Sequence, residues 1–117
     1  MANDFKLKTF AGGSTNANTD MTIYTCPAST ETTIIGMSIA NITTSQITVD
    51  VKIESVTIDT ETNANVFVIK DAPVPVGGTL VPIGGDQKIV LQATDVLKVQ
   101  SDTANSADVV LSILEIT

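Results

Sequence analysis

The segment 46–54 alternates apolar and polar residues so regularly that a β-strand is the one regular structure that fits it. Every second position holds a β-branched apolar residue, and the four are Ile47, Val49, Val51 and Ile53. Because successive side chains of a strand point to opposite faces, this pattern places all four on one side of a sheet. The segment is therefore predicted to be a half-buried antiparallel strand.

The preceding segment, 33–40, is predicted to be a second strand and the partner of the first. One face carries Ile35, Met37 and Ile39, and the other carries Ile34 followed by three small residues, which are Gly36, Ser38 and Ala40. A strand of this kind can be covered on both faces. Turn-forming residues fill the connection at 41–45, which is predicted to be a short loop or a bulged hairpin.

Further short segments repeat the alternation along the rest of the chain, and they lie at 4–8, 21–26, 56–58, 66–70, 87–92, 96–100 and 108–116. Their spacing predicts two more hairpins, one joining 56–58 to 66–70 and the other joining 87–92 to 96–100. Eight or nine strands at intervals of about 8–12 residues predict an antiparallel β-sandwich or barrel.

The segment 72–85 combines three prolines with two glycine pairs. Proline cannot donate a hydrogen bond to a neighbouring strand, so Pro73, Pro75 and Pro82 exclude a central strand here. The glycine pairs suit sharp turns. The segment is therefore predicted to run along a sheet edge and to turn at each pair. A phosphate-binding loop is the alternative, but no helical pattern and no Lys-Ser/Thr pair follows the glycines.

Length and composition predict a single all-β domain. The chain has 117 residues, of which only 3% are aromatic, so its core must consist of aliphatic and largely β-branched side chains. Residues 1–20 are predicted to be an N-terminal arm or edge strand followed by a polar loop, and residues 21–117 the sandwich domain. The net charge of −7 opposes binding to nucleic acid and to anionic membranes. No apolar run suits a signal peptide or a membrane span, so synthesis in a cytoplasm is expected.

The residue types that most enzymes and metal sites use are missing or scattered. There is no histidine, which removes the commonest general base at neutral pH and the commonest metal ligand. The acidic residues stand singly, and none follows the spacing of a calcium loop. Cys26 is the only cysteine and is predicted to be a small buried residue. No enzymatic activity, cofactor or metal is expected.

Six segments resemble parts of small virion structural proteins of tailed bacteriophages. They read IYTCPA at 23–28, IIGMSIAN at 34–41, TVDV at 48–51, IKDAPVP at 69–75, GGDQKIVL at 84–91 and SILEIT at 112–117. The resemblance extends from about residue 20 to the end of the sequence. It is a likeness of overall pattern rather than of a catalytic motif.

The resemblance implies a capsid decoration, or cement, protein. Such proteins are compact β-sandwiches, often with jelly-roll topology and often trimeric, that sit on the capsid shell and clamp neighbouring major capsid subunits. The expected partners are therefore the major capsid protein or another virion protein and further copies of the chain, and the expected location is the virion. A neck, tail or fibre adaptor is the alternative. A receptor- or carbohydrate-binding module is a third, although Tyr24 is the only tyrosine that it could use.

If the resemblance holds, function resides in contacts between subunits. A basic pair in the first strand is expected to meet an acidic shell, and the candidate capsid contacts are Phe5, Lys6, Lys8, Pro73, Pro75 and Pro82. The segment 108–116 is apolar on both faces, which predicts a central strand or burial against another subunit. The candidate self-association residues are Val110, Leu114 and Ile116. In the alternative interpretation, the last strand and the proline-rich edge both pack inside the monomer.

Overall fold

Nine strands form two antiparallel sheets in the computed structural model, which describes residues 3–11, 17–55 and 63–117. The described part of the chain contains no helix. The predicted strand 56–58 and residues 12–16 of the predicted polar loop lie outside the described residues. The strands are β1 (Asn3–Phe10), β2 (Met21–Thr25), β3 (Glu31–Asn41), β4 (Ile47–Glu54), β5 (Val66–Val74), β6 (Thr79–Ile83), β7 (Ile89–Leu91), β8 (Val96–Ser101) and β9 (Ala107–Ile116).

The two sheets have jelly-roll topology. The first sheet has the order β1-β9-β3-β6, with β7 also paired to β3, and the second has the order β2-β8-β4-β5. Strands β6 and β7 pair with successive parts of β3 and act as one interrupted strand. The pairs are then nested, from β1 with β9 and β2 with β8 inward to β4 with β5, as in a long antiparallel ribbon rolled into two sheets. The predicted sandwich is confirmed, and its arrangement is that of a jelly roll.

Of the two structures predicted for the connection between the central strands, the short loop is confirmed and the bulged hairpin is wrong. Strand β3 lies in the first sheet and β4 in the second, so the loop 42–46 crosses from one sheet to the other. The hairpin predicted for 87–92 and 96–100 is wrong for the same reason, since β7 pairs with β3 while β8 pairs with β2 and β4. Alternation shows which side chains face the core. It does not show whether the next strand is a neighbour in the same sheet or lies across the core.

A β-bulge changes the faces that were predicted for β3. Ile34 pairs with Ile113, and the next paired residue is Gly36, which lies opposite Ser112. The extra residue, Ile35, reverses the alternation. Ile34 is therefore fully buried and Ile35 only partly, which corrects the prediction that put Ile35 on the same face as Met37 and Ile39 and Ile34 on the opposite face. Met37 and Ile39, beyond the bulge, are buried as predicted.

The core lies between the two sheets and is aliphatic. The four alternating residues of β4 that predicted a half-buried strand all face it, which confirms that prediction. The largest side chains that are fully buried are Ile34, Ile39, Ile47, Ile83, Leu91, Leu97, Leu111, Ile113, Val49, Val51, Val74 and Val99. Branched side chains of this kind pack well on pleated strands.

The segment 72–85 follows sheet edges, as predicted. Pro73 lies in β5, the edge strand of the second sheet, and Pro82 lies in β6, an edge strand of the first. The chain turns at both glycine pairs, where Gly77 and Gly85 have φ angles of 72° and 62°. Glycine adopts these left-handed angles at little cost, so the glycines are explained by turn geometry.

The side chain of Asn41 holds the crossing from β3 to β4. Its Nδ2 donates to the carbonyl oxygens of Ser45 at 2.8 Å and Val74 at 3.0 Å. Its Oδ1 accepts from the backbone N of Thr43 at 2.9 Å and from the Thr43 hydroxyl at 2.7 Å. Asn41 is buried, and its side chain bonds backbone groups of a loop that pairs with no strand. It therefore makes hydrogen bonds that water or a neighbouring strand would otherwise supply.

Replacing Asn41 with alanine is expected to lower the free energy of unfolding by about 1–3 kcal/mol, because the Val74 carbonyl would be left buried without this partner. Chemical denaturation followed by circular dichroism would measure the change. Thr44→Ala, in the same loop but exposed, is the matched control and should have little effect. Equal effects of the two variants would contradict this role of Asn41.

Candidate interaction surface

The outer face of the first sheet is formed by the outward side chains of its strands. In β9 the outward positions alternate with buried Val109, Leu111 and Ile113. Directly opposite residues of antiparallel strands project from the same face, so the strand register identifies the neighbours. We define the apolar face as these outward residues: Phe5, Leu7, Thr33, Gly36, Ser38, Val81, Val90, Val110, Ser112, Leu114 and Ile116.

Large apolar side chains are unusually exposed on this face. Phe5 is 76% exposed and Leu7 is 65% exposed, and both belong to the edge strand β1. Val81 and Val90 are also exposed at the opposite margin of the sheet, on β6 and β7. Single exposed apolar residues are ordinary, but several on one sheet face mark a surface that binds another molecule.

The middle of the apolar face is a shallow groove. Gly36 and Ser38 of β3 and Ser112 of β9 line it, and Val81 and Val110 form part of its rim. Its volume is about 260 Å³. A Cβ atom built on Gly36 would meet only the Ile83 carbonyl oxygen, at 3.7 Å, so internal packing does not require glycine at this position. The small residues instead leave a depression over β3, which is separated from β1 by β9.

The outward positions of the described strands carry charge only at the two ends of this face. Glu31 lies opposite Ile116 at one end, and Asp108 lies opposite Ala40 at the other. The outward residues of β1, β9 and β3 between these two positions are all uncharged, and a charge stands at the margin of the groove on Lys88, whose Nζ donates to the carbonyl oxygen of Gly85. Charge depletion at the centre of an exposed surface is characteristic of protein interfaces.

The outer face of the second sheet is very different, because it carries ion pairs. Lys52 Nζ lies 2.9 Å from Asp20 Oδ2 and 3.3 Å from Glu54 Oε2, and Lys98 Nζ lies 2.9 Å from Glu54 Oε1. Lys52 and Lys98 are directly opposite each other, so Glu54 offsets their repulsion. Exposed ion pairs add little stability, but they keep this face hydrated. The two outer faces of the sandwich therefore differ in chemistry.

A buried polar cluster lies under β1, and sequence reasoning missed it. Glu115 is buried, and its Oε1 lies 2.7 Å from Lys6 Nζ. The Tyr24 hydroxyl donates a hydrogen bond to Glu115 Oε2 and lies 2.9 Å from Thr32 Oγ1. Cys26 Sγ is 3.3 Å from the same Thr32 oxygen. Cys26 is buried, as predicted.

The hydrogen bonds of this cluster shift the acidities of its members. Those from Lys6 and from Tyr24 lower the pKa of Glu115. Burial, followed by the hydrogen bond to Glu115, raises the pKa of the Tyr24 hydroxyl. Alternation along β9 already places Glu115 in line with Leu111 and Ile113, so this was the signal that could have found it. The cluster joins β1, β2, β3 and β9 and is explained as a structural clamp.

The predicted contact residues fall in several places. Phe5, Val110, Leu114 and Ile116 share the apolar face. Lys6 and Lys8 lie opposite buried Ile113 and Leu111, so they project from the other side of β1. Pro73, Pro75 and Pro82 are not brought together: they lie, respectively, in the second sheet, in the turn after β5 and in the first sheet.

Comparison with protein-family models and with curated proteins finds no match. The phage-protein resemblance of the six segments therefore stays a prediction. Within the described ranges, no three His, Cys, Asp or Glu side chains lie together so that they could hold a metal ion. The same ranges include no helix of the length and apolarity that crossing a membrane needs.

Proposed function

We propose that this chain is a structural protein of a tailed-bacteriophage virion, which binds the assembled capsid shell and stabilises it. The observation that carries the proposal is the contrast between the uncharged apolar face and the ion-paired outer face of the second sheet. A protein built in this way presents one face to a neighbouring subunit of an assembly and the other face to water. A decoration protein, which lies between other subunits and solvent, would need two faces of these kinds.

The proposed mechanism is mass action. A protein that binds the assembled lattice, and not its separate subunits, stabilises the lattice by its free energy of binding. The effect is repeated at every equivalent site on the shell, so each contact can be weak. The chain then needs a rigid scaffold and exposed contact residues. The jelly roll supplies the scaffold through its fully buried aliphatic core.

A second apolar patch is the proposed shell contact. Ile42 and Val76 are exposed in two loops at the same end of the sandwich, where the backbone N of Asn41 donates to the Gly78 carbonyl oxygen at 3.1 Å. Pro75, one of the predicted capsid contacts, belongs to the same turn. We define Ile42, Pro75 and Val76 as the loop patch. Such a patch at the tip of a sandwich leaves both sheet faces free.

Sedimentation with capsid shells of the phage that encodes the chain would test the proposal. The protein is expected to pellet with shells that lack it and to reach saturation. Replacing Ile42 and Val76 together with aspartate should reduce binding at least about tenfold, because a carboxylate is costly to bury at a contact. Val66→Asp is the matched control, since Val66 is as exposed as Ile42, at 52%, but lies at the other end of the sandwich.

Failure to pellet with shells at any salt concentration would contradict shell binding. A neck, tail or fibre adaptor is the alternative, and the copy number per virion separates the two. A decoration protein is present on the order of hundreds of copies, and an adaptor in about a dozen or fewer.

The third candidate, a carbohydrate-binding module, has little support, because Tyr24 is buried and the exposed rings of Phe5 and Phe67 lie on different sheets.

A further inference from the structure

We propose that the apolar face packs against the same face of a second copy of this chain. The inference deepens the proposed function by naming the partner of this face, and it leaves the loop patch free for the shell. Charge is the first argument. A partner rich in charge would find no opposite charge on the outward residues of β1, β9 and β3 between Glu31 and Asp108, and would lose water there without compensation. The partner of this face should therefore be uncharged where it makes contact. A second copy of the chain meets this requirement, because the apolar face itself is uncharged.

The net charge of −7 strengthens this argument. Two copies repel each other through most of their surface. The repulsion is weakest where the surfaces in contact carry no charge, and on this sheet such a region extends between Glu31 and Asp108. The outer face of the second sheet, with its lysines and carboxylates, does not offer the same approach.

The shape of the face is self-complementary. Leu7, Ser112 and Gly36 lie at one level across β1, β9 and β3, because Ser112 is opposite both of the others. The large side chain of Leu7 therefore stands on β1, on one side of β9, and the groove lies over Gly36 of β3, on the other side. A twofold axis along β9 exchanges these two positions. Leu7 of each copy then occupies the groove over Gly36 of the other.

The edge of the first sheet is protected against the alternative, in which two sheets join edge to edge. Lys6 and Lys8 of β1 project inward from the edge strand, beside the core. Inward charges on an edge strand oppose pairing with another strand, because a continuous sheet would bury them. A second copy is therefore expected to pack face to face, in the aligned manner of stacked sheets.

The contact is expected to be small. Three strands spaced by about 4.8 Å, with about eight residues each, give a footprint of about 400 Å² per copy, which is below that of a standard interface. The dimer should therefore dissociate on dilution. Added salt should strengthen it, because salt screens the repulsion between two acidic molecules. An interface held by ion pairs would respond to salt in the opposite way.

Sedimentation equilibrium of the full chain over a range of concentrations is the test. The mass is expected to rise with concentration from the 12.2 kDa of one chain to twice that value, and at lower concentration in higher salt. Leu7→Asp should abolish the rise. Val66→Asp is the matched control and should not, because Val66 is also exposed, at 52%, but lies in β5 of the second sheet, away from the apolar face.

A size exchange tests the predicted pairing of Leu7 with Gly36. Gly36→Val should fill the groove and abolish the dimer while the monomer stays folded, since the position has space for a Cβ atom. Combining Gly36→Val with Leu7→Ala should restore at least part of the association. Circular dichroism would verify that each variant is folded. Failure of the double variant to recover would overturn the pairing.

A chain that remains at the mass of one copy at every concentration would overturn the inference, and so would a trimer that persists in Leu7→Asp. Shell binding is measured separately. A monomer that pellets with shells overturns the self-association and leaves the proposed function intact. A dimer that does not pellet with shells supports the self-association and contradicts the proposed function.

Discussion

Replacing Leu111 with alanine is expected to lower the free energy of unfolding by about 2–5 kcal/mol. Leu111 is fully buried and lies in β9, between β1 and β3, at the centre of the first sheet. Truncation removes its contacts and leaves a cavity that β-branched neighbours cannot fill without changing rotamer. A loss of this size is a large fraction of the stability of a small domain. Denaturant titration at low protein concentration would measure it.

Val110→Ala is the matched control for this variant. Val110 is adjacent in sequence but faces outward and is exposed, so its truncation should cost less than about 1 kcal/mol. The same variant removes a side chain from the proposed dimer contact. It should therefore weaken association more than it weakens the fold. A Val110→Ala variant as unstable as Leu111→Ala would mean that the orientation of β9 is wrong.

Replacing Glu115 with alanine is expected to cost about 2–4 kcal/mol, because it removes buried hydrogen bonds and leaves a cavity. Tyr24 would keep only Thr32 as a partner for its hydroxyl, and Lys6 would lose its ion pair. On the inner side of the sheet, the edge strand β1 is held by the ion pair between Lys6 and Glu115. Hydrogen exchange should therefore show a greater loss of protection in β1 than in β4.

The pH dependence of stability follows from the same residue. The hydrogen bonds from Lys6 and Tyr24 lower the pKa of Glu115 in the folded protein, so the unfolded chain binds the proton more readily. The stabilisation is fully present above about pH 4.3, where a free glutamate titrates, and is lost as the pH falls through the lower folded value. Glu115→Gln should make the acid decline shallower. If stability falls with acid as steeply in the variant as in the parent protein, Glu115 does not contribute to the pH dependence of stability.

Much of the fold was predictable from alternation and from proline and glycine. The pattern in β4 identified its buried face, and Pro73 and Pro82 identified the sheet edges. The pairing of strands was less accessible. Strand β3 and strand β4 both carry an apolar face, but a hairpin and a crossing between sheets satisfy that pattern equally well. The bulge at Ile35 was also hidden, because it depends on the register with β9.

The candidate surface was predictable only in part. The second apolar face of β9 drew attention to Val110, Leu114 and Ile116. Through the register of β1, the structure places Phe5, which was predicted as a capsid contact, on the same face and adds Leu7. Lys6 shows the limit of reading charge from sequence. The contact of Lys6 and Lys8 with an acidic shell stays a prediction, whereas the ion pair of Lys6 with Glu115 could not be predicted, because it joins residues more than a hundred positions apart in the sequence.

The position of β9 between β1 and β3 has a consequence for biosynthesis. Among the described strands, β1 has β9 as its only partner, and Asn3 pairs with Ile116. Strand β1 must therefore wait until β9 has been synthesised before it can enter a sheet, so the native first sheet cannot form until β9 has left the ribosome. Contacts between such distant residues make folding slow. A nascent chain that stops before β9 would leave β1 without a partner and β3 unpaired along one edge, which makes it a substrate for chaperones and proteases rather than for assembly.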